Sequence, residues 1–424
     1  MTFADALAYL HSLRQFGFKP GLDVPRRLAA LAGNPQASLR FLHVAGTNGK
    51  GSVCAMLESV HRAAGRRTGL YTSPHLVRFG ERIQVDRRPI PDADLARLVG
   101  WLHARVATAV PVLEPTFFEF TTVLALLWFA EQRVDVVLWE TGLGGRWDAT
   151  NIVDPLASVV TDIGRDHMQV LGNDLASIAA EKAGIFKPGV PALTATRDPE
   201  ALGVLGFKAR ELDVPFVVVG EAAVAQFRFA LPLLGAHQRR NAALAAAVVR
   251  TLRAVLPVTD EQLERGLATV SWPGRLQVVR RGTRTLLLDG AHNRDGIRAL
   301  REALATEFPG QRPTLVIGML ADKEWKAMAA ELAPLAGRIV TVPVSSARTV
   351  PAEELRLACL AGGIARPARA VGSVAEALRA VAADPFVLAT GALYLVGELL
   401  ERLEETPAGT DERALNEWGG GLPP

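Results

Sequence analysis

Residues 43–52, HVAGTNGKGS, have the composition of a site that binds phosphate. Glycine lets a loop aim backbone N–H groups at an anion, and a helix that starts after the loop adds the positive end of its dipole. Lys50 would then contact a phosphate, and the hydroxyl of Ser52 would reach a magnesium ion. The common loop G-x-x-x-x-G-K-[ST] has no residue between the lysine and the hydroxyl residue. We expect Gly51 to add one more turn before Ser52 opens the helix, and we predict a phosphate-binding loop rather than an ordinary glycine-rich turn.

Three further polar residues stand at or just past the ends of strand-like runs: Ser73, Glu140 and His167. Ligands of an open parallel sheet bind outside the carboxyl ends of its strands. We therefore expect these side chains to gather beside the loop, where serine and carboxylate oxygens suit Mg²⁺. Taken singly, His167 is better explained as a hydrogen-bonding loop residue, and Glu140 as a helix cap or ion-pair partner. Lys182, in the middle of an alanine-rich helical segment, is as well explained as a surface lysine.

Short apolar, β-branched runs alternate with helical patterns along the chain. This order predicts parallel strands joined by helices that cover both faces of a sheet. After about residue 270 a proline- and arginine-rich stretch interrupts the pattern, and a second, shorter strand–helix series follows. We predict an α/β protein in three parts. They are an N-terminal phosphate-loop domain with a mostly parallel sheet (1–275), a smaller Rossmann-like C-terminal domain (276–405) and a flexible tail (406–424).

The composition is that of a globular protein with a large core. Of 424 residues, 49% are apolar and 21% are charged, and the net charge is +3. Basic residues occur in pairs rather than stripes, which argues against nucleic-acid binding. Two cysteines cannot build a disulfide framework. The first 13 residues form an amphipathic helical pattern rather than a signal peptide. No apolar run approaches the roughly 20 residues of a membrane span. We expect a cytoplasmic protein without nucleic-acid or membrane partners. The sequence carries no signal of oligomeric state, and a monomer is our expectation.

Several motifs occur together in one order. They are VAGTNGKGS, YTSPHLVRFGERI, ETGLGGRWDATNIV, DHMQVLG, IAAEKAGIFKPG, HQRRNAALA, WPGRLQ, LLDGAHN and ATGALYLVGEL. In this order the chain resembles folylpolyglutamate synthase/dihydrofolate synthase, a family of the Mur-ligase superfamily of ATP-dependent amide-forming ligases. The resemblance covers essentially residues 1–400 and accounts for the spelling of the loop. It implies that L-glutamate is added to dihydropteroate, to folate, or to both, and it favours a bifunctional enzyme.

The resemblance also implies roles for individual residues. ATP would be a co-substrate, and two Mg²⁺ ions would be bound. A carbamylated Lys182 would offer oxygen to the second ion, which requires a neutral, buried amine. The implied ATP-binding residues are Gly46, Thr47, Asn48, Gly49, Lys50, Gly51, Ser52, Asn241, Arg275 and Asp289. The implied metal ligands are Ser52, Ser73, Glu140, His167 and Lys182, and the implied catalytic residues are Lys50, His167, Lys182 and His292.

The remaining implied residues concern the two acceptor substrates. Phe117 or Phe118 would stack on the pterin ring, with ordinary core packing as the alternative. His292 would lie near the incoming glutamate, although a lone histidine is equally explained by a structural role. The family commonly has a serine where this chain has Ala392, which leaves the details of the glutamate pocket open. The segments that would line the pterin pocket are Gly21, Leu22, Asp23, Thr116, Phe117, Phe118, Glu119 and Asp148.

Two other functions remain open at this point. One is a different Mur-type ligase, such as an enzyme that adds amino acids to a peptidoglycan precursor, although TFFEFTT and SPHLVRFGERI favour the folate branch. The other is a non-enzymatic nucleotide-binding regulator that uses the loop as a switch. A regulator would bind ATP without forming an amide, and it would leave the LLDGAHN motif without a role.

Overall fold

The computed structural model describes residues 1–14, 19–361, 367–404 and 410–417. Within these ranges the chain forms two β-sheets, of eight and six strands, flanked by helices. The α/β class predicted from the alternation of strands and helices is confirmed.

The first sheet is built from eight strands. They are β1 (Phe41–Ala45), β2 (Thr68–Tyr71), β3 (Ile83–Val85), β4 (Arg88–Pro89), β5 (Val136–Glu140), β6 (Pro155–Val160), β7 (Ala192–Thr194) and β8 (Phe216–Val218). Their order is β4-β3-β2-β5-β1-β6-β7-β8, with antiparallel pairing at β2–β3 and β3–β4 and parallel pairing elsewhere. Strands β2 to β5 lie on one side of β1, and strands β6 to β8 lie on the other. The carboxyl end of β1 is therefore a switch point, where such sheets bind ligands.

The second sheet is built from six strands. They are β9 (Gln277–Arg281), β10 (Arg284–Leu288), β11 (Thr314–Ile317), β12 (Arg338–Thr341), β13 (Ala368–Ala370) and β14 (Phe386–Thr390). Their order is β13-β12-β11-β14-β10-β9, and every pair is parallel except the β9–β10 hairpin.

Helices connect most of the strands. They are α1 (Phe3–Leu13), α2 (Asp23–Leu31), α3 (Lys50–Ala63), α4 (Asp92–Ala107), α5 (Phe117–Glu131), α6 (Met168–Leu171), α7 (Leu175–Ala183), α8 (Pro199–Glu211), α9 (Glu221–Gln226), α10 (Ala236–Thr251), α11 (Asp260–Ala268), α12 (Arg294–Glu307), α13 (Trp325–Leu332), α14 (Ala352–Leu360), α15 (Val374–Ala380), α16 (Leu393–Glu404) and α17 (Thr410–Ala414). Short 3₁₀ helices span Pro35–Ser38, Phe79–Arg82, Ala149–Ile152 and Ala333–Leu335. None of the helices in the described ranges is long and apolar enough to cross a membrane.

The central strands of the first sheet are buried on both faces. Leu42 and Val44 of β1 pack with α3, α10 and α11, whereas Phe41 packs with Trp139 and with α1, α4 and α5 on the other face. The rings of Phe41 and Trp139 meet edge to face, with centroids 5.5 Å apart. Strands that are covered on both faces are apolar throughout, which explains their continuous apolar runs. They form a rigid base for the loops at their carboxyl ends.

The sequence predicts a flexible tail over residues 406–424, of which the structure describes 410–417. Residues 412–417 are packed against the rest of the molecule. Leu415 is 1% exposed and lies in the apolar cluster of α1, α4 and α5. Asn416 and Glu417 form hydrogen bonds to side chains from both halves of the chain. One apolar anchor and a few paired polar groups hold this segment despite the glycine and proline around it.

Candidate active site

A cavity of about 1410 Å³ lies between the carboxyl ends of the two sets of strands. The loops after β1, β2, β5 and β6 form one wall, and the loops after β10, β11, β12 and β14 form the other. Ser73, Glu140 and His167, which come from separate strands, all line this cavity beside the glycine loop. The expected gathering of these residues at one sheet edge therefore occurs.

The glycine loop bends at positions where a side chain would not fit. Gly46 has a φ of 152°, and a Cβ atom there would overlap Oγ1 of Thr161. Gly49 has a φ of 88°, and its Cβ would lie 2.7 Å from Oδ1 of Asn241. Helix α3 begins immediately afterwards, at Lys50. The loop and the positive end of the α3 dipole therefore face the cavity together, as an anion site requires.

Gly51 has a different role from the predicted one. The sequence predicts an extra turn at Gly51 and a helix from Ser52; this is wrong, because α3 already begins at Lys50 and contains both residues. A Cβ atom on Gly51 would lie 2.8 Å from the ring of Trp272. Glycine is needed here because an indole ring packs directly against the first turn of the helix.

Two lysine amines meet at one carbonyl of the loop. The Nζ of Lys50 donates to the carbonyl oxygens of Gly46 (3.0 Å) and Thr47 (3.3 Å), and the Nζ of Lys182 donates to that of Gly46 (2.9 Å). Lys182 is 3% exposed, so it is not a surface lysine. Its burial, followed by the charge of Lys50, lowers the pKa of Lys182 to about 7. About half of these amines are neutral at pH 7, compared with about one in 2500 for a lysine of pKa near 10.4.

Glu140 ends β5 as a buried carboxylate. Its Oε2 accepts a hydrogen bond from the backbone N–H of Ser73 at 3.1 Å. Burial raises the pKa of Glu140 to about 7, although Lys50 acts in the opposite direction. A carboxyl group with a pKa near 7 is partly protonated at neutral pH. A nearby cation would favour its ionised form. This environment fits a metal ligand better than an ordinary helix cap.

Ser52 is linked to helix α10. Its side chain is buried, and its Oγ accepts a hydrogen bond from Nε2 of Gln238 at 3.3 Å. Nδ2 of Asn241 in turn donates to Oε1 of Gln238 at 3.2 Å. Asn241, implied by the resemblance, thus lies against both the loop and Gln238. Sequence reasoning missed Gln238, although it belongs to the quoted HQRRNAALA motif.

A second polar cluster joins the two walls of the cavity. Oδ1 of Asp166 accepts from Nζ of Lys323 at 2.6 Å, and Oδ2 accepts from Nδ2 of Asn293 at 3.1 Å. Nδ2 of Asn293 also donates to Oδ1 of Asn48 at 3.0 Å. Burial opposes ionisation of the Asp166 carboxyl group. Positively charged neighbours, such as the amine of Lys323, nevertheless hold the pKa of Asp166 below its usual range. Sequence reasoning missed Asp166 and Lys323, since they are 157 residues apart and only the fold brings them together.

We expect the largely buried ion pair of Asp166 and Lys323 to contribute measurably to stability. Lys323→Met keeps the apolar stem and removes the amine, which leaves the Asp166 carboxylate without its cation. We expect the free energy of unfolding to fall by about 1–3 kcal/mol, measured by urea denaturation. Lys326→Met, at an exposed neighbouring site, is the control and should change it by less than about 0.5 kcal/mol. Equal losses in the two variants would contradict a stabilising role for the pair.

His292 lies beside this cluster. Its Nδ1 is 2.7 Å from the carbonyl oxygen of Gly290, and since a carbonyl only accepts, Nδ1 carries the proton. Nε2 is therefore the unprotonated nitrogen, 4.0 Å from Asp166. Burial, followed by Lys323, lowers the pKa of His292 to about 4, so the ring is neutral at pH 7.

The far end of the cavity is aromatic. Phe117 and Phe118 are both half-buried and line it. Phe118 packs against Gly142, where a Cβ atom would lie 2.5 Å from its ring. Thr116 and Glu119 also line the cavity, but they form the capping box of α5, with Oε2 of Glu119 accepting from the N–H of Thr116 at 2.7 Å. The two rings therefore offer surfaces on which a planar ligand could pack.

Asp148 is buried beneath this aromatic wall. Its Oδ2 accepts from the N–H of Leu143 at 2.8 Å, and its Oδ1 accepts from the N–H of Thr150 at 3.0 Å. Burial raises the pKa of the Asp148 carboxyl group, although these bonds oppose the shift. Much of the hydrogen-bonding capacity of Asp148 shapes the turn that follows β5.

Gly21, Leu22 and Asp23 do not lie where the resemblance places them. None of the three lines the cavity. Gly21 has a φ of 137° and precedes α2, and Asp23 is an exposed residue of its first turn. The three residues therefore lead into the start of α2 and are not among the residues that line the cavity.

The second wall carries the other implied residues. Asp289 is buried and accepts backbone N–H groups from Leu276 and Ala291, both at 2.9 Å. Arg275 lines the cavity, and Gly290 leaves room for it, since a Cβ there would lie 2.6 Å from its Nη1. Ala392 also lines the cavity but is only 1% exposed.

Sequence reasoning missed a buried arginine. Arg82 is 4% exposed, lines the cavity and places its guanidinium 5.3 Å from the centroid of the Phe117 ring. Its Nε donates to Nδ1 of His75 at 2.8 Å, and its Nη2 donates to Oδ1 of Asn416 at 2.7 Å. Arg82 belongs to the quoted YTSPHLVRFGERI motif, but nothing in the motif shows that it is buried.

The chain is similar to known ligases over nearly its whole length. Residues 44–202 match the Mur ligase middle domain, and residues 274–393 match the Mur ligase glutamate ligase domain. The dihydrofolate synthase/folylpolyglutamate synthase of Bacillus subtilis is 36% identical over 95% of this chain and 99% of its own length. The chain belongs to the dihydrofolate synthase/folylpolyglutamate synthase family. This folylpolyglutamate synthase family member is an ATP-dependent ligase, so the predicted family and enzyme class are confirmed and the non-enzymatic regulator is excluded.

Solved structures of the folylpolyglutamate synthase family share the fold. Escherichia coli FolC in complex with DHPP and ADP has a TM-score of 0.84 at 32% identity, covering 96% of this chain and 98% of its own. Mycobacterium tuberculosis folylpolyglutamate synthase complexed with ADP and AMPPCP has a TM-score of 0.84 at 31% identity, covering 96% of this chain and all of its own (100%).

Proposed function

We propose that this chain adds L-glutamate to dihydropteroate and to folate, using ATP and an acyl-phosphate intermediate. The observation that carries the proposal is that one cavity contains the phosphate loop, the buried Glu140 and Lys182, and the aromatic wall of Phe117 and Phe118. Such a cavity reaches from a nucleotide phosphate to a planar acceptor, as phosphoryl transfer to a pterin-linked carboxylate requires.

The ATP phosphates would lie against the loop from Gly46 to Ser52. Its backbone N–H groups and the first turn of α3 would bind the phosphates, and Lys50 would leave its two loop carbonyls to contact them. Arg275 would approach the nucleotide from the junction of the two sheets. Asp289 would help to position Arg275 indirectly, because its carboxylate accepts a hydrogen bond from the N–H of Leu276, the residue after Arg275.

The donor atoms beside the loop fit Mg²⁺. They combine the Glu140 carboxylate with the hydroxyls of Ser52 and Ser73, a hard oxygen set that phosphate oxygens and water would complete. Among the described residues there is no group of three or more His, Cys, Asp and Glu that could hold a metal, which also favours a cation shared with phosphate over one held by the protein alone. His167 and a carbamylated Lys182 would hold a second ion. When bound, these ions neutralise negative charge on the phosphates.

Lys182 is suited to carbamylation by its surroundings. Carbamate formation requires a neutral amine, and the pKa of about 7 provides one at physiological pH. The modification would also replace a cation beside Lys50 by an anion, so that repulsion between the two side chains becomes attraction.

The acceptor would bind at the aromatic end. Its ring would pack on Phe117 or Phe118, and its carboxylate would reach the guanidinium of Arg82, which lies over the Phe117 ring. A charge-assisted hydrogen bond from the Arg82 guanidinium would fix one carboxylate oxygen and so orient the group towards the γ-phosphate.

The reaction would proceed in two steps. An acceptor carboxylate oxygen attacks the γ-phosphorus, the bond to ADP breaks, and an acyl phosphate forms while Lys50 stabilises charge on the transferred group. The α-amine of glutamate then attacks the acyl carbon, and phosphate leaves. His292 presents an unprotonated Nε2 that can accept a proton from the amine. Placing the acyl phosphate between the two sheets excludes water, which would otherwise hydrolyse it.

The two halves of the chain would divide this work. We propose that residues 1–275 bind ATP and the pterin and that residues 276–405 present glutamate; the match of residues 274–393 to a glutamate ligase domain supports this division. We further propose a cytoplasmic monomer, since a single copy already supplies every group used above.

A product assay tests the proposed function. The purified protein is incubated with ATP, Mg²⁺, L-glutamate and either dihydropteroate or tetrahydrofolate, and products are followed by mass spectrometry with phosphate release in parallel. We expect one phosphate for each amide formed with each acceptor, and none without L-glutamate. Amide formation with only one acceptor would reject bifunctionality, and absence of amide with both would reject the proposal.

A further inference from the structure

Residues 412–417, which we call the C-terminal strap, cross from one wall of the cavity to the other. Leu415 anchors the strap in the apolar cluster of α1, α4 and α5. Oε2 of Glu417 accepts from Nε of Arg348 at 3.3 Å, on the side of the second sheet. Leu415, Asn416 and Glu417 all line the cavity. The strap is therefore part of the cavity wall.

The strap organises the loop that carries Arg82. The Glu412 carboxylate accepts from the backbone N–H of Phe79 at 2.7 Å, and the Glu412 carbonyl oxygen lies 2.8 Å from Nε2 of His75. Nδ1 of His75 accepts from Arg82, so Nε2 carries the ring proton and donates it to Glu412. A neutral histidine thereby joins the strap to the guanidinium.

Asn416 contacts the same guanidinium directly. Its Nδ2 donates to the carbonyl oxygen of His75 at 2.9 Å, and its Oδ1 accepts from Nη2 of Arg82 at 2.7 Å. Both partners of Arg82 are uncharged, and it forms no ion pair with a carboxylate in the described part of the chain. Arg348, by contrast, receives the Glu417 carboxylate from the same strap. A buried cation with neutral partners is unfavourable unless a ligand supplies the anion.

We propose that Asn416 is a positioning residue that holds the Arg82 guanidinium towards the cavity while leaving its charge free for the carboxylate of the acceptor substrate. The inference rests on the proposed function. The hydrogen bonds to His75 and Asn416 use Nε and Nη2 of Arg82, which leaves Nη1 for a ligand. The amide of Asn416 forms two hydrogen bonds and carries no charge. A carboxylate of the same shape would be negatively charged.

Asn416→Asp separates this role from a purely structural one. The aspartate keeps the oxygen that accepts from Arg82 and adds a negative charge that competes with the substrate. It also replaces the Nδ2 donor to the His75 carbonyl by an oxygen. We expect KM for dihydropteroate to rise by about tenfold or more, with kcat at saturation and KM for ATP within about threefold of the native values. A structural clamp predicts the opposite, because a charge-assisted bond to Arg82 would preserve activity. Native KM in Asn416→Asp overturns the proposal.

Two further variants complete the test. Asn34→Asp, an exposed site outside the cavity wall, is the matched control and should leave every constant unchanged. Asn416→Ala decides the matter if the aspartate variant folds poorly: a higher KM for the acceptor with a native KM for ATP supports positioning, and a native KM for the acceptor overturns it. The native protein must first form amide with dihydropteroate, and its failure to do so would reject the proposed function itself. If the native enzyme is active and Asn416→Asp has a native KM for the acceptor, only the inference about Asn416 is rejected.

Discussion

Lys50→Ala is expected to lower kcat for amide formation by about 10³-fold while leaving the fold intact. Lys50 contacts two loop carbonyls through a flexible amine, and in the proposed reaction this amine moves onto the phosphates. Its loss removes a positive charge at the point where negative charge develops. Alanine is also a better helix former than lysine at the start of α3. Initial rates of ADP and amide formation, with circular dichroism spectra, measure both effects.

The control for Lys50 is a half-exposed lysine of the same half of the chain. Lys208 pairs with Glu211 on α8 at 3.1 Å and lies outside the cavity wall. Lys208→Ala should retain native turnover. Near-native turnover of Lys50→Ala would refute the assignment of the phosphate loop, and an equal loss in both variants would show that the effect is not local.

Lys182→Ala is expected to reduce turnover by at least about 100-fold, because in the proposed reaction Lys182 holds a metal ion beside the phosphates. The loss of turnover should not result from unfolding of the variant. The folded-state pKa of Lys182 is about 7, compared with 10.5 as the ordinary value, so between these pH values the unfolded state binds more protons. Burying this lysine therefore opposes folding at neutral pH. The variant should unfold at a temperature no lower than expected for the cavity that it creates.

Chemical rescue distinguishes a carbamate from a plain amine at this site. Lys182→Ala leaves a space in which a short carboxylic acid such as acetate can place its oxygens where the carbamate would be, and turnover should partly return as acetate is added. Lys182→Met fills that space and should not be rescued. The native enzyme should also show a carbamate signal by ¹³C NMR in labelled bicarbonate. Full activity of Lys182→Ala would exclude the carbamate.

The α/β class and the family follow from the sequence alone, and so does the prediction of a phosphate loop. Each depends on residues that are close together in the chain. The glycines, Lys50 and Ser52 lie within one strand–loop–helix unit, and the rule that ligands bind at the carboxyl ends of parallel strands is sufficient to bring Ser73 and Glu140 to that unit. The order of the motifs then identifies the family. For these features local chemistry and topology suffice.

Only the tertiary structure decided how the rest of the site is held. It explains Gly51 by the Trp272 ring rather than by a turn, moves Gly21 to Asp23 away from the cavity, and buries Lys182 so that its pKa falls.

The tertiary structure also joins Asp166 to Lys323 and packs the strap on the loop of Arg82. The physical reason is common to all of these cases. Burial, pKa and the choice of hydrogen-bond partner depend on which groups meet in space, and here those groups come from segments that are far apart in the chain.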